Sequence, residues 1–217
     1  MSSEGRKRGY RSKSEHKKQS ETVTYMQYQT LNQSEEGLGY GNGGETDRWE
    51  NSLTASEREA VSMYSETYYQ TLNMELRAGK EPTRAAMDKE LESAINKFDL
   101  ETPTTFVRGS TADLLGGEDT VDGINARIGE IVVDKGYTSS SATAGEAFTY
   151  KPVIYHIDAP SGKGIGAYIR GISSYGIDEN EFLFNKGGMY RIKGAYTKSG
   201  IYDDELHVNI EWVGRVG

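Results

Sequence analysis

The hydrophobic residues of this chain change their spacing near Pro103, and that change restricts the folds open to it. Between Thr54 and Phe98, apolar residues recur every three or four positions, which is the spacing of amphipathic helices. After Pro103, short β-prone runs alternate with glycines, and one further helix is predicted at 121–128. Because the helices precede the strands without a β-α-β alternation, the pattern predicts an α+β fold and not a Rossmann sheet.

Two helices are predicted before Pro103. Thr54-Ala55-Ser56-Glu57 has the S/T-x-x-E form of a capping box, so the first helix is expected to begin there. Gly79 is the predicted stop of that helix, and the second helix follows Thr83 and ends before Pro103. The apolar faces contain Val61, Tyr64, Tyr68, Leu72 and Leu76 in the first helix and Met87, Leu91, Ala94, Ile95 and Phe98 in the second.

Six strands are predicted after Pro103. In the clearest of them, 206–213, four apolar residues alternate with three polar ones, so one face is expected to be buried and the other wet. The glycine-rich run 162–166 is interpreted as a turn between strands, since a phosphate-binding loop needs Ser or Thr after its lysine. The predicted strands are 105–108, 153–157, 166–169, 181–184, 190–195 and 206–213, and the polar residues of the last are His207, Asn209 and Glu211.

Residues 1–51 are polar, glycine-bearing and aperiodic, which predicts a disordered arm ahead of one catalytic or binding domain at 52–217. The first twenty residues carry seven basic and two acidic side chains, a local charge of +5, against a formal charge of -8 for the whole chain. Such a tract is either a solvated tail or a contact for RNA, a membrane or an acidic partner. No apolar run follows it, so it lacks the form of a secretory signal peptide.

Composition excludes several classes of site. The chain has no cysteine, which excludes a disulfide framework, a thiolate zinc site and a cysteine nucleophile. Its three histidines are scattered, with no His-x-x-x-His pair, so we expect no metal. No stretch approaches the roughly 20 apolar residues of a membrane span.

Three short segments carry the residues capable of chemistry. Phe106-Val107-Arg108-Gly109 places an arginine at a strand end, where it is either a solvated charge or a fork for a phosphate. A hydroxyl cluster at 139–141 follows the aromatic Tyr137. Glu179 and Glu181 are two apart, so on one strand they share a face, either as a wet edge pair or as two acids with different tasks.

Taken together and in this order, the three segments resemble the R-S-E class of mono-ADP-ribosyltransferases, which contains the C3-like and binary actin-modifying toxins and their bacterial and phage-encoded relatives. The resemblance runs from about Leu53 to Val213, and Ser140 stands where the family's Ser-Thr-Ser has threonine. It implies N-terminal helices packed on a core of two antiparallel or mixed β-sheets that enclose an NAD cleft. It also implies NAD as the substrate and no metal.

The resemblance assigns a role to each motif. Arg108, with Gly109 beside it, is expected to hold the NAD diphosphate, and the 139–141 cluster of Ser139, Ser140 and Ser141 to line the NAD site. Ser139 would orient Glu181, which would stabilise the positive charge that develops as nicotinamide leaves. Glu179 would orient or deprotonate the incoming nucleophile, and Tyr175 would touch the target.

Two further parallels concern the cleft walls. Lys151 lies about where some members place a phosphate-binding arginine. Tyr64 and Asn73 have the spacing of a Tyr and an Asn that line the family's NAD cleft. Nine residues along a straight helix would put these two about 180° apart, so either the helix is interrupted between them or they do not form one site.

The expected activity is transfer of ADP-ribose from NAD to a target macromolecule, and Glu-x-Glu members of the class mostly modify protein arginine. The alternatives are an NAD glycohydrolase, a nucleic-acid-modifying relative, and a catalytically silent binding or virion component. The enzyme is expected to act in the cytoplasm of a target or host cell after secretion or injection. Its partners are then NAD, the target protein and an immunity or carrier protein.

Overall fold

The computed structural model describes residues 29–30, 38–143, 151–174, 180–199 and 204–216. Tyr175 and Glu179 lie outside these ranges, as does most of the predicted arm. Within the described ranges, no helix has the length and apolar character needed to cross a membrane.

Helices form the N-terminal half of the described chain, as the spacing predicts. A π-helical segment, Tyr64–Tyr68, joins α2 to α3 without a break in the helical path, and a 3-10 turn forms at Ala112–Leu115. The α-helices are α1 (Glu45–Ser52), α2 (Ala55–Met63), α3 (Tyr69–Arg77), α4 (Ala85–Lys97) and α5 (Val121–Asn125).

Strands form the C-terminal half. All six predicted strands are present, and the longest extend further than predicted because edge residues continue the ladder. The strands are β1 (Gln29–Thr30), β2 (Asp99–Leu100), β3 (Thr104–Ser110), β4 (Ile131–Asp134), β5 (Thr138–Ser141), β6 (Val153–Ala159), β7 (Gly162–Lys163), β8 (Gly166–Tyr168), β9 (Glu181–Phe184), β10 (Gly188–Ser199) and β11 (Asp204–Arg215).

The strands form one mixed sheet in the order β4-β10-β11-β6-β3-β5-β9-β8, with β1 beside β3, and a small sheet of β2 and β7. The β6–β11 and β1–β3 pairs are parallel and the other pairs are antiparallel. Only one register pair, Val107 with Ser141, joins β3 to β5. The large sheet therefore consists of two halves that meet at a narrow junction, and the helices with this mixed sheet confirm the predicted α+β class.

The capping box at Thr54 forms as predicted. The Thr54 hydroxyl accepts a hydrogen bond from the Glu57 amide at 3.2 Å, and the Glu57 carboxylate accepts one from the Thr54 amide at 2.7 Å. Lys97 at the end of α4 pairs with the same carboxylate at 2.6 Å. These contacts hold the pKa of Glu57 down at about 2 against its burial, so the carboxylate stays charged where α2 meets α4.

The boundary of the arm differs from the prediction. All but the last residue of helix α1 lies inside the segment assigned to the arm, and both Leu38 and Trp49 are buried. The Trp49 indole N–H donates to the Ala94 carbonyl at 2.7 Å, which fixes α1 against α4. The prediction failed here because two isolated apolar residues among polar ones give no periodic signal, although one large ring buries as much surface as several small side chains.

An aromatic cluster forms the core between the two halves of the sheet. Phe106 of β3 stacks on Phe182 of β9, with ring centroids 3.9 Å apart. Phe184 stacks on Trp212 of β11 at 5.5 Å, and Phe98 closes the cluster from the end of α4. The core thus spans the narrow β3–β5 junction and holds the halves together.

The alternation of the last strand predicted that His207 lies on a wet face, but the structure does not place it there. It is buried, and its Nδ1 atom is 2.8 Å from Nε2 of His156 on the parallel neighbour β6. Tyr196 of β10 stacks over His207 with centroids 5.1 Å apart. The prediction was wrong because alternation within one strand shows only which residues share a face. It does not show that side chains of neighbouring strands cover the polar face.

If α1 belongs to the folded domain, Trp49→Ala should lower the free energy of unfolding by about 3–5 kcal/mol, the usual cost of removing a buried large aromatic ring. Urea unfolding followed by circular dichroism measures this. The matched control is Ile131→Ala on the exposed side of β4, which should stay within about 0.5 kcal/mol of the wild type. Equal, small effects of both variants would contradict the placement of α1.

The histidine pair predicts a pH dependence of stability. Burial lowers the pKa of His156 below its ordinary 6.5, and the charges of His207 and Lys198 lower it further. The unfolded chain therefore takes up this proton at a higher pH than the folded one. The contribution of neutral His156 to the free energy of unfolding is present above about pH 6.5. It is lost as the pH falls from there through the pKa of His156 in the folded protein.

We expect the free energy of unfolding to fall between about pH 7.5 and about pH 5, and to fall less steeply in His156→Gln, which carries no titrating ring. Denaturant titrations of both proteins at the two pH values measure the difference. Identical slopes would show that the pair does not control acid stability.

Candidate active site

A cleft of about 590 Å³ opens between the α2–α3 helical path and strands β3, β5 and β9. It gathers side chains that are far apart in the sequence. It is lined by Tyr64, Ser65, Tyr69, Gln70, Asn73, Arg77, Arg108, Gly109, Ser110, Thr111, Tyr137, Ser139, Lys151 and Glu181. Seven of these are residues that the sequence singles out as candidate site residues: Tyr64, Asn73, Arg108, Gly109, Ser139, Lys151 and Glu181.

The π-helical segment brings Tyr64 and Asn73 to the same side of the helical path. A π turn contains an extra residue, so it rotates the side chains that follow it relative to a straight α-helix. The Asn73 amide Nδ2 donates to the Tyr64 hydroxyl at 2.8 Å, across nine residues of sequence. Of the two alternatives that the spacing left open, the structure has the interrupted α-helix, and the two residues form one wall of the cleft.

Asn73 also ties this wall to the sheet. Its Oδ1 atom accepts a hydrogen bond from the Tyr137 backbone N–H at 2.8 Å, directly before β5. The approach is close, since a Cβ on Gly136 would lie 2.8 Å from that same Oδ1. Only glycine fits at this position without displacing Asn73, which explains why a glycine stands at position 136.

Arg108 enters the cleft from β3. Its Nη1 atom donates to the Ser139 carbonyl, and its Nη2 atom lies 3.5 Å from the Ser110 hydroxyl. The guanidinium has five N–H donors in a planar fork, so these two contacts orient it and leave donors for an anion. The arginine is thus fixed to the strand that carries the hydroxyl cluster.

The three serines of β5 have different surroundings. Ser139 lines the cleft. The Ser140 hydroxyl donates to the Phe182 carbonyl at 2.8 Å, and the Ser141 hydroxyl accepts from the Thr143 amide at 3.0 Å. The hydroxyls of Ser140 and Ser141 are therefore bonded to backbone groups that hold β5 in place, and neither residue lines the cleft.

Glu181 is the first residue of β9 and is 6% exposed. It lies opposite Ser141 in the antiparallel register, and its carbonyl accepts from the Ile169 amide at 3.0 Å. Burial, together with the negative charge of Glu181, raises the pKa of Tyr64, so that the Tyr64 hydroxyl remains protonated at neutral pH. A buried glutamate and a protonated phenol thus lie in the same cleft.

Strand β9 begins at Glu181, whereas the prediction of a shared face for Glu179 and Glu181 needs both residues on one extended strand. Asn180 has a φ of 44°, which is left-handed and not extended. The rule that residues two apart share a face does not hold across such a residue. Glu179 and Tyr175 are outside the described residues, and their roles stay predictions.

Arg77 is a cleft residue that the sequence analysis missed. It forms a bidentate pair with Asp134, whose two carboxylate oxygens are each 2.8 Å from the guanidinium. Asp134 also accepts from the Gly136 amide and the Thr138 hydroxyl, both at 2.9 Å. Arg77 follows Asn73 by four residues on α3, and residues four apart share a helix face, so this spacing could have indicated Arg77 as a cleft residue.

A second cavity of about 360 Å³ adjoins the cleft. Both cavities are lined by Arg77, Arg108, Ser110 and Thr111, and the second continues past Tyr155 over the sheet. The site is therefore elongated, with two arginines near its middle. Across the described ranges, no group of three or more His, Asp or Glu side chains is arranged to hold a metal ion.

Residues 40–211 match the family model of the ADP-ribosyltransferase exoenzymes. The chain belongs to this family. The matched range includes the helices, the cleft residues and most of the sheet, so the resemblance to the ADP-ribosyltransferases is confirmed. A search of the curated proteins gives no significant match.

Solved structures of the same fold agree with this assignment. Plx2a, an ADP-ribosyltransferase toxin from Paenibacillus larvae, superposes with a TM-score of 0.70 at 22% identity, over 78% of this chain and 92% of that one. C3stau2 from S. aureus, solved with NAD, gives 0.64 at 19%, over 79% and 95%. The Clostridium limosum C3 exoenzyme gives 0.65 at 20%, over 78% and 91%.

Family membership gives the reaction class, which is NAD-dependent mono-ADP-ribosyl transfer with NAD as the substrate. The chain also shares its fold with the C3-type enzymes C3stau2 and the Clostridium limosum C3 exoenzyme. The identity of the acceptor is a separate question, which depends on the residues around Glu181.

The link between the two walls of the cleft is testable by Asn73→Ala. This variant leaves the buried N–H of Tyr137 without its acceptor, so the free energy of unfolding should fall by about 1–3 kcal/mol. Tyr64→Phe should cost less, because it keeps the bond from Tyr137 to Asn73. Chemical denaturation of both variants measures which one loses more free energy of unfolding. A larger loss in Tyr64→Phe than in Asn73→Ala would contradict the proposed link.

Proposed function

We propose that this enzyme transfers ADP-ribose from NAD to an arginine of a target protein. The observation that supports the proposal is the convergence of Arg108, Ser139 and Glu181, from three neighbouring strands, in one elongated cleft. Plx2a is named as a toxin, which supports a target protein in a host cell.

The first step is binding of NAD. Its diphosphate carries two negative charges, which suit the guanidinium of Arg108, already oriented by the Ser139 carbonyl. Lys151 lines the same cleft and adds a second positive charge. Because a lysine is a point charge without a fork, Arg108 determines the orientation of the diphosphate and Lys151 adds to its affinity.

The second step is cleavage of the bond between nicotinamide and ribose. The nicotinamide nitrogen leaves with the bonding electron pair, and the ribose becomes a positively charged oxocarbenium ion. The Glu181 carboxylate accepts a hydrogen bond from the ribose 2′-hydroxyl and stabilises this charge. Glu181 is buried, so little water screens the interaction, and Ser139 in the same cleft orients the carboxylate.

The third step is attack by the acceptor. An arginine guanidinium nitrogen forms a bond to the ribose C1′ atom, and Glu179 takes the proton that this nitrogen loses. Tyr175 contacts the target protein ahead of this step. A guanidinium is a planar cation, and the two glutamates of Glu179-Asn180-Glu181 supply negative charge to hold it, which favours arginine over an uncharged side chain.

The kinetic test uses labelled NAD with a guanidino compound or a cell lysate as acceptor. Glu181→Gln should lower nicotinamide release and label transfer together, by about 100-fold or more, since it removes the charge that stabilises the transition state. Glu179→Gln should lower transfer while nicotinamide release continues. Arg108→Lys should chiefly raise the KM for NAD, since it removes the fork that binds the diphosphate.

The matched control is Glu130→Gln, which removes an exposed glutamate paired with Arg127 and should retain wild-type rates. Mass spectrometry of the labelled protein locates the modified residue. Full activity of Glu181→Gln would contradict the assigned role. Label on asparagine or nucleic acid would contradict the arginine acceptor, and free ADP-ribose alone would indicate an NAD glycohydrolase.

A further inference from the structure

Asn180 has an unusual backbone conformation at the entrance to β9. Among the described residues, it is the one non-glycine residue with a positive φ, at 44°. Asparagine tolerates this left-handed conformation better than most residues, but glycine adopts it more readily. The presence of asparagine therefore points to a function of the side chain, which is 4% exposed and thus enclosed by the fold.

The Asn180 side chain is held by two buried donors. Its Oδ1 atom accepts a hydrogen bond from the Tyr168 hydroxyl at 2.8 Å and a second from Nη1 of Arg170. Tyr168 and Arg170 are 4% and 8% exposed. We call these three residues the Asn180 clamp. Tyr40 supports it, with its ring edge-on to Tyr168 at 6.5 Å and beneath the Arg170 guanidinium at 5.5 Å.

The backbone on both sides of the clamp is fixed as well. The Asn180 carbonyl accepts from the Ala142 amide at 2.9 Å, and the Glu181 carbonyl accepts from the Ile169 amide at 3.0 Å. The chain is thus bonded to the end of β5 on one side and to the turn after β8 on the other. With the side chain also held, the direction in which the chain enters β9 is fixed.

We propose that Asn180 is a positioning residue, which the Asn180 clamp uses to aim the Glu181 carboxylate at the ribose of NAD. This inference rests on the proposed role of Glu181. The Cα–Cβ direction of Glu181 follows from the backbone angles of the residue before it. A displacement of about 1 Å in a catalytic group is enough to lower a rate about 100-fold.

The clamp is separate from the groups that hold NAD. Arg108 lies on β3, Asn73 on α3 and Ser139 on β5. Tyr168, in contrast, is the last residue of β8, and Arg170 follows it by two residues. Loss of the clamp should therefore move Glu181 and leave the NAD contacts in place. A group that acts in the transition state and not in the ground state changes kcat and leaves KM nearly unaltered.

The experiment measures nicotinamide release from NAD, with KM and kcat separated, in three variants. Asn180→Gly keeps the left-handed backbone and removes the clamped side chain. Asn180→Asp keeps an oxygen acceptor for both donors. Asn125→Ala is the matched control, because this asparagine also holds two hydrogen bonds, to the backbone of Ala195, and does not line the cleft. Thermal unfolding of each variant sets a temperature at which all are folded.

We expect Asn180→Gly to lower kcat about 10- to 100-fold with KM for NAD within about twofold, and Asn180→Asp to restore most of the rate. Asn125→Ala should keep the wild-type kcat. A kcat in Asn180→Gly equal to that of Asn125→Ala would overturn the positioning role of the clamp while leaving the proposed function intact. Absence of nicotinamide release by the wild type would overturn the proposed function and, with it, the role of the clamp.

Discussion

The hydrogen bonds from Tyr64 through Asn73 to the backbone of Tyr137 are the interactions on which the cleft depends. They cross from the helical layer to the strand that carries Ser139, so they fix the two walls of the cleft relative to one another. The π-helical segment makes them possible, because a straight helix would turn Tyr64 and Asn73 to opposite faces. A costly irregularity in the helix is thus retained where the site is built.

The sheet brings the three sequence motifs together by strand order. β5 lies between β3 and β9, so the arginine, the serine and the glutamate come from three adjacent strands although they are far apart in the sequence. The β3–β5 junction has few backbone hydrogen bonds, and the stacked rings of Phe106 and Phe182 hold it from the core side. Packing behind the cleft therefore stabilises the arrangement in front of it.

Much of this organisation follows from local sequence patterns. The capping box, the helix stop and all six predicted strands are local signals, and the structure places them as expected. The arginine, serine and glutamate of the three motifs are local signals too, and they line one cleft. Tertiary contacts account for what was missed. Trp49 is buried by a distant helix, His207 is covered by a neighbouring strand, and Asn180 turns the chain by contacts with Tyr168 and Arg170 that no spacing rule encodes.

The central claim is that Arg108 holds the diphosphate and Glu181 the nicotinamide ribose of one bound NAD molecule. The most direct measurement is a crystal structure of Glu181→Gln with NAD, since this variant should hold the substrate without cleaving it. The account predicts the diphosphate within hydrogen-bond distance of Arg108 and the nicotinamide ribose beside position 181. NAD bound elsewhere, or with its diphosphate away from Arg108, would contradict it.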